Sequence, residues 1–164
     1  MLKVFYRLNA LDFEKLMAVY EEGNLENAQE FFPHDTPAVQ LQRAKESFED
    51  YLRNDFFRVQ GAFYAVWEEH TYVSALRMEP YQDGWLLEAL ETMPSCRKKG
   101  YATRLIAAVL ALFPAGTHIY SHVGKNNKAS KATHLRCGFQ EILDYARYVD
   151  GTVTTFSCTM KTTV

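Results

Sequence analysis

The chain has 164 residues, 48% of them hydrophobic and 23% charged, with a formal net charge of −2. That length fits one domain spanning 1–164, and the balanced composition excludes a disordered or collagen-like chain. No apolar run approaches the roughly 18 residues of a membrane span, and the polar-interrupted N-terminus lacks the apolar stretch of a secretory signal.

In chain order, Leu2–Leu8 reads as a strand. Asn9 with Asp12 resembles a capping box, and Phe13, Leu16, Met17 and Tyr20 then follow helical spacing. A helix is predicted over 11–22, ending near Gly23, with 24–35 irregular. Thr36-Pro37 opens a second helix to about Asn54, with proline where its missing N–H costs nothing. Alternating Phe57, Val59, Phe63, Ala65 and Trp67 predict a strand, and Thr71–Met78 a second after the turn at 68–70. After Asp83-Gly84, Trp85–Met93 is a third strand, apolar on both faces and ended by Pro94.

Gly100 opens a helix over Tyr101–Phe113. A strand follows at Thr117–Val123, then a helix at Asn127–Cys137 stopped by Gly138. Phe139–Val149 and Thr152–Thr162 are strands joined by an Asp150-Gly151 hairpin turn. The order β-α-α-β-β-β-α-β-α-β-β predicts a mixed α/β (α+β) fold, a sheet between helices.

Charge is unevenly spread. Residues 11–35 are acidic, with Lys15 the one cation, whereas 97–136 contain Arg97, Lys98, Lys99, Arg104, Lys125, Lys128, Lys131 and Arg136 without an acid. A basic stretch in an acidic chain suggests a local anionic ligand or simply two solvated faces. Net charge and the lack of a recognisable module argue against a nucleic-acid partner. Cys96, Cys137 and Cys158 are widely spaced with no CxxC, so no metal site is expected, and a cytoplasmic location fits unpaired thiols.

Residues 90–105 carry the chemistry. A strand ends at Pro94, a basic loop follows, and Gly100 and Ala102 stand at a helix start. The first N–H groups of a helix have no internal partner and sit at the positive end of its dipole. Glycine and a small neighbour let a phosphate, or better a pyrophosphate, approach the backbone.

Arg97-Lys-Lys-Gly100-Tyr-Ala102 resembles the Arg/Gln-x-x-Gly-x-Gly/Ala signature of the GCN5-related N-acetyltransferases (GNAT). Asn127-Lys-Ala-Ser130, running on to Gly138-Phe139, resembles that family's second motif. The resemblance covers essentially the whole chain, most firmly 85–139. It implies a mostly antiparallel sheet of six to seven strands with about four helices, splayed between strands 85–93 and 117–123. It also implies acetyl-CoA as acyl donor. The pyrophosphate would lie on Arg97, Lys98, Lys99, Gly100, Tyr101, Ala102 and Thr103, the pantetheine arm along Leu90, Glu91 and Thr92, and Asn127 on the far side.

The implied reaction is direct attack of a small-molecule or peptide amine on the thioester. Glu88, then Glu91, are the candidate bases. Three apart on one strand, they should leave opposite faces unless a distortion near the splay changes the parity. Many relatives carry a tyrosine as general acid where this chain has His134. The phenols of Tyr120, Tyr145 and Tyr148 are alternatives. His118 and His122 share a strand face and suit packing or an acceptor site better than metal. Phe31, Phe32, Tyr64, Trp85 and Tyr148 are candidate acceptor-site aromatics, and the acidic first helices suit a cationic amine. The alternative function is a CoA-binding module without catalysis. An unpaired terminal strand suggests a homodimer.

Overall fold

The computed structural model describes residues 1–164. Its elements begin with β1 (Leu2–Phe5), α1 (Phe13–Phe31) and α2 (Pro37–Asn54), then β2 (Phe63–Glu68), β3 (Tyr72–Tyr81) and β4 (Gly84–Thr92). They continue as α3 (Tyr101–Leu110), β5 (His118–Gly124), α4 (Lys128–Arg136), β6 (Gln140–Leu143), β7 (Ala146–Arg147), β8 (Val153–Thr154) and β9 (Ser157–Thr163). Seven strands form one sheet in the order β1-β2-β3-β4-β5-β9-β6, and β7 and β8 form a separate ribbon. Every neighbouring pair in the sheet is antiparallel except β4 and β5.

Alternation along the strands gives the sheet two apolar faces. Leu76, Met78, Leu87, Ile119 and Val123 face α3, where they bury Leu105, Ile106 and Val109. Tyr64, Val66, Tyr72 and Ala75 face α1 and α2, where they meet Leu16, Val19, Tyr20 and Leu52. Each fully buried aliphatic side chain contributes roughly 1.5–3 kcal/mol. The helices therefore clamp β2, β3 and β4 from both sides.

β4 and β5 pair only at Trp85↔Ile119, Leu86↔Tyr120 and Leu87↔Ser121. Beyond Leu87 and Ser121 the two strands part, which is the splay expected between 85–93 and 117–123. The departure coincides with a β-bulge. Arg77 faces Glu88 and Ala75 faces Glu91, so Ala89 and Leu90 together oppose Leu76 alone. Ala89 takes φ 50, a left-handed conformation rare for a residue with a Cβ.

Several boundaries differ from expectation. Asp12, not Asn9, caps α1, its side chain accepting from the Lys15 N–H at 3.2 Å. The helix runs through Gly23 to Phe31, nine residues beyond the expected end at 22. A mid-helix glycine costs about 1 kcal/mol, which continued burial of Ala28 offsets. Residues 56–58 form a 3-10 turn instead of strand because Phe56 is drawn into the core. The expected long final hairpin is broken. β6 pairs with β9 with a register shift at Glu141/Leu143, and only Ala146–Arg147 pairs with Val153–Thr154 around the Asp150-Gly151 turn.

Candidate active site

The loop after β4 rises through a short 3-10 turn, Pro94–Cys96, into α3. Lys98 and Gly100 both take left-handed backbone, with φ 61 and φ 80. The N–H groups of Gly100, Tyr101, Ala102 and Thr103 find no acceptor within the chain; the first helical bond is Arg104 N–H to the Gly100 carbonyl at 3.0 Å. Four adjacent unpaired donors at a helix start make an anion-binding concavity. A Cβ on Gly100 would meet nothing within 4 Å, so the space above this residue is open.

This concavity opens into a cleft of about 540 Å³ between the free edge of β4, the start of α3 and one side of α4. Leu90, Glu91, Thr92, Arg97, Lys98, Gly100, Tyr101, Ala102, Thr103 and Asn127 all line it. Lys99 does not, because its ammonium turns back to the Ser95 carbonyl at 3.0 Å. Arg97 lines the cleft, but its guanidinium is engaged within the chain. Its guanidinium reaches the Thr92 carbonyl at 3.1 Å, ion-pairs with Glu22 of α1, and lies 3.7 Å from Glu91. An anion here would meet the backbone N–H groups together with Lys98 and Arg136, lining cations that no acid of the chain engages. Asn127 caps α4, its side-chain oxygen accepting from the Ser130 N–H at 2.9 Å, which leaves its amide nitrogen for the cleft.

Cys96, Ala129, Ser130, Ala132, Thr133 and Arg136 also line the cleft, beyond the residues expected to hold the donor. The signal for the α4 group is the small residues Ala132 and Thr133, three and four residues on from Ala129 and on its helical face.

The fork between β4 and β5 brings a second set together on the opposite sheet face. Because of the bulge, Glu88 and Glu91 lie on the same face, toward α1 and α2, not on opposite faces as their spacing suggests. Glu91 sits at the cleft rim, and burial raises its carboxyl while Arg97 opposes the rise. Glu88 is half-buried and committed to the Arg77 guanidinium at 3.2 Å. Arg77 in turn lies over the rings of Tyr51 and Phe56 at 5.0 and 5.8 Å. Glu79, two residues along β3, is 7% exposed. Burial, with Glu88 beside it, pushes its carboxyl up to about 7.

His134, expected as the general acid, has its ring held between Ser130 and Ser121. It is buried at 1% exposure and lies outside the cleft lining. Its Nδ1 bonds the Ser130 carbonyl at 2.8 Å and its Nε2 the Ser121 hydroxyl at 2.9 Å, while Phe139 packs edge-on against the ring. Burial lowers its pKa, so it is a neutral strut between α4 and β5. His118 is likewise satisfied, by Asp83 at 2.8 Å. Hydrogen bonds from Tyr120 and His118 hold the Asp83 carboxyl down at about 2. Among the candidate aromatics, Trp85 packs instead on Phe63 and Phe113 of the α3 face, Tyr64 is fully buried and Phe31 is largely exposed. Tyr148 reaches the fork side, 5.2 Å from the His122 ring.

The family model described as Acetyltransferase (GNAT) family matches residues 20–139. No curated protein matches the chain by sequence. Solved structures with the same fold include the PaiA N-acetyltransferase from Thermoplasma acidophilum in complex with coenzyme A. It is 12% identical with TM-score 0.62, over 100% of this chain and 99% of that one. Aminoglycoside 6'-acetyltransferase type Ii is 15% identical with TM-score 0.65, over 99% and 96%. The ribosomal-protein-S18-alanine N-acetyltransferase from Escherichia coli is 15% identical with TM-score 0.56, over 100% and 94%.

Proposed function

The chain belongs to the GNAT acetyltransferase family and is an acetyl-CoA-dependent N-acetyltransferase; from that premise we propose that it acetylates a cationic primary amine by direct attack at the β4/β5 fork. The observation that carries this reading is the continuity of cleft and fork. The free donors of Gly100–Thr103 open onto the same cleft as the unpaired edge of β4, and that edge leads back to the point where β4 and β5 part. A pyrophosphate on the donors would send an extended amide-rich arm along Leu90–Thr92, as an added strand. The acetyl group would then lie at the fork.

The amine reaches the fork from the α1/α2 face. Glu88 stands there, and its carboxylate, with the acidic stretch of α1 beyond it, draws the ammonium form of the acceptor. The acidic stretch of α1, with Glu21, Glu22, Glu26 and Glu30, extends the same field. The ammonium gives one proton to solvent, the freed nitrogen lone pair attacks the thioester carbonyl carbon, the N–C bond forms, the C–S bond breaks with its electron pair passing to sulfur, and the second proton shed by the nitrogen ends on the thiolate. A backbone N–H at the bulge stabilises the developing oxyanion.

A small molecule or a peptide N-terminus fits this approach equally. The three unpaired thiols support a reducing, cytoplasmic setting. The free edge of β6, with Ile142 and Leu143 exposed, supports pairing with a second copy. The test is release of free CoA thiol from acetyl-CoA across an amine panel that includes peptides, with product mass confirming N-acetylation. Acetyl-CoA binding without turnover on any amine rejects the reading.

A further inference from the structure

His122 is the next residue of β5 after Ser121, and Glu88 the next of β4 after Leu87, where the last pair of the two strands is Leu87↔Ser121. The two side chains therefore flank the fork as the first residues past the parting point. Both lie on the α1/α2 face. Ile119 and Val123 belong to the α3-side core and Ser121 bonds α4, which turns Tyr120 and His122 the other way.

Both ring nitrogens of His122 are buried and neither has a hydrogen-bond partner. Buried polar atoms are satisfied in the great majority of cases, and each exception needs a reason. The buried His134, by contrast, has both ring nitrogens bonded within the chain. The His122 ring is held edge-on by Tyr81 at 5.6 Å and Tyr148 at 5.2 Å. It is thus fixed in place by aromatic packing, with its nitrogens left without a partner in the chain.

We propose that His122 receives the acceptor nitrogen at the fork and takes its proton as the amine attacks, making it a catalytic residue opposite Glu88. This rests on the transferase reading. The acceptor, drawn in as ammonium, gives its first proton to solvent and then lies as the free base, hydrogen-bonded to an imidazole nitrogen. As the N–C bond forms and the C–S bond breaks, the proton leaves nitrogen for His122. The imidazolium then returns that proton to the CoA thiolate, so one group serves as base and acid and the enzyme ends unchanged.

The groups facing His122 fit this duty. Tyr81 of β3 and Tyr148 of the ribbon turn pack on the ring, and Glu88 of β4 acts on it by charge; Tyr120 packs on Tyr81, and Arg77 and Glu79 of β3 stand against Glu88. Burial lowers the pKa of His122 and Glu88 opposes that effect. The ring is therefore neutral at neutral pH and ready to accept a proton, and Glu88 stabilises the imidazolium formed in the reaction.

The test uses the full chain with acetyl-CoA and three probes, 2-phenylethylamine, spermidine and a peptide with a free N-terminal alanine. His122→Phe keeps the ring packing and His122→Gln keeps a polar tip. Each should lower kcat for the best probe at pH 7 by about 10²-fold, with the rate recovering as pH rises and an unchanged acetyl-CoA thermal shift. Glu88→Gln should move the acidic limb of the kcat profile to lower pH. Wild-type kcat and an unaltered pH profile in His122→Phe overturn the proposal. If wild type acetylates none of the probes, the failure lies with the transferase reading on these amines. Nitrogen NMR of histidine-labelled protein with CoA then decides His122: its ring resonances must move on adding an amine probe, and resonances that none of the three moves overturn the assignment.

Discussion

The Tyr20 hydroxyl donates to the Ala89 carbonyl at 2.6 Å. This one bond ties α1 to the bulge of β4, the irregularity that turns Glu88 and Glu91 to the same face and leaves the edge of β4 unpaired. Left-handed backbone at a residue with a Cβ costs on the order of 1–3 kcal/mol and persists only where its surroundings over-determine it. Tyr20 is one such constraint, its ring packed edge-on against Phe48 and Tyr64.

Tyr20→Phe keeps the packing and removes the donor. Unfolding free energy should fall by about 1 kcal/mol, read from urea melts, and acetyl transfer should fall while the sheet stays intact. Identical melts and rates in the variant would show that the bulge holds itself.

Gly100→Ala and Gly151→Ala make a matched pair, since both glycines have positive φ, +80 and +87, and neither would place a Cβ against another atom. Each should cost roughly 1–2 kcal/mol of backbone strain. Only Gly100→Ala should shrink the rise in melting temperature caused by acetyl-CoA, because its Cβ stands where an anion would approach the free N–H groups. Equal ligand shifts in the two variants would remove the backbone of this loop from cofactor binding.

Glu79 gives a pH prediction. Its folded carboxyl is raised from 4.5 to about 7, so the folded state holds the proton more tightly than the unfolded chain. Its contribution to stability is complete below about 4.5 and is lost as pH rises through about 7. Glutamine imitates the protonated form. Glu79→Gln should therefore melt like wild type near pH 4.5 and at a higher temperature than wild type near pH 8. A difference that does not grow with pH would contradict the burial argument.

His134→Phe should act on stability and not on chemistry. It leaves the Ser121 hydroxyl without its partner, removes the ring's bond to the Ser130 carbonyl, and should cost about 1–3 kcal/mol. Turnover per folded molecule should stay near wild type. The lowered pKa means that in wild type His134 supports the fold fully above its ordinary 6.5 and loses that support as pH falls toward the folded value. A folded variant with kcat reduced as far as that of His122→Phe would return the proton-transfer role to His134.

Local signals were legible in the sequence. Pro94 ending a strand, Gly100 and Ala102 at a helix start, and Asp150-Gly151 at a turn each follow from the conformational rules of single residues. With the resemblance at 97–102 and 127–139, they mark where the cleft and the splayed strands lie. Helix α1 overran Gly23 because packing of Ala28 outweighs the propensity of one glycine. The roles of the titratable groups depended on tertiary structure. A period of two puts Glu88 and Glu91 on opposite faces, and only pairing with β3 and the Tyr20 bond reverse that. His122 and His134 have the same chemistry as letters. One is bonded at both nitrogens and the other at neither, because hydrogen bonds between distant segments are settled by how strands and helices pack together.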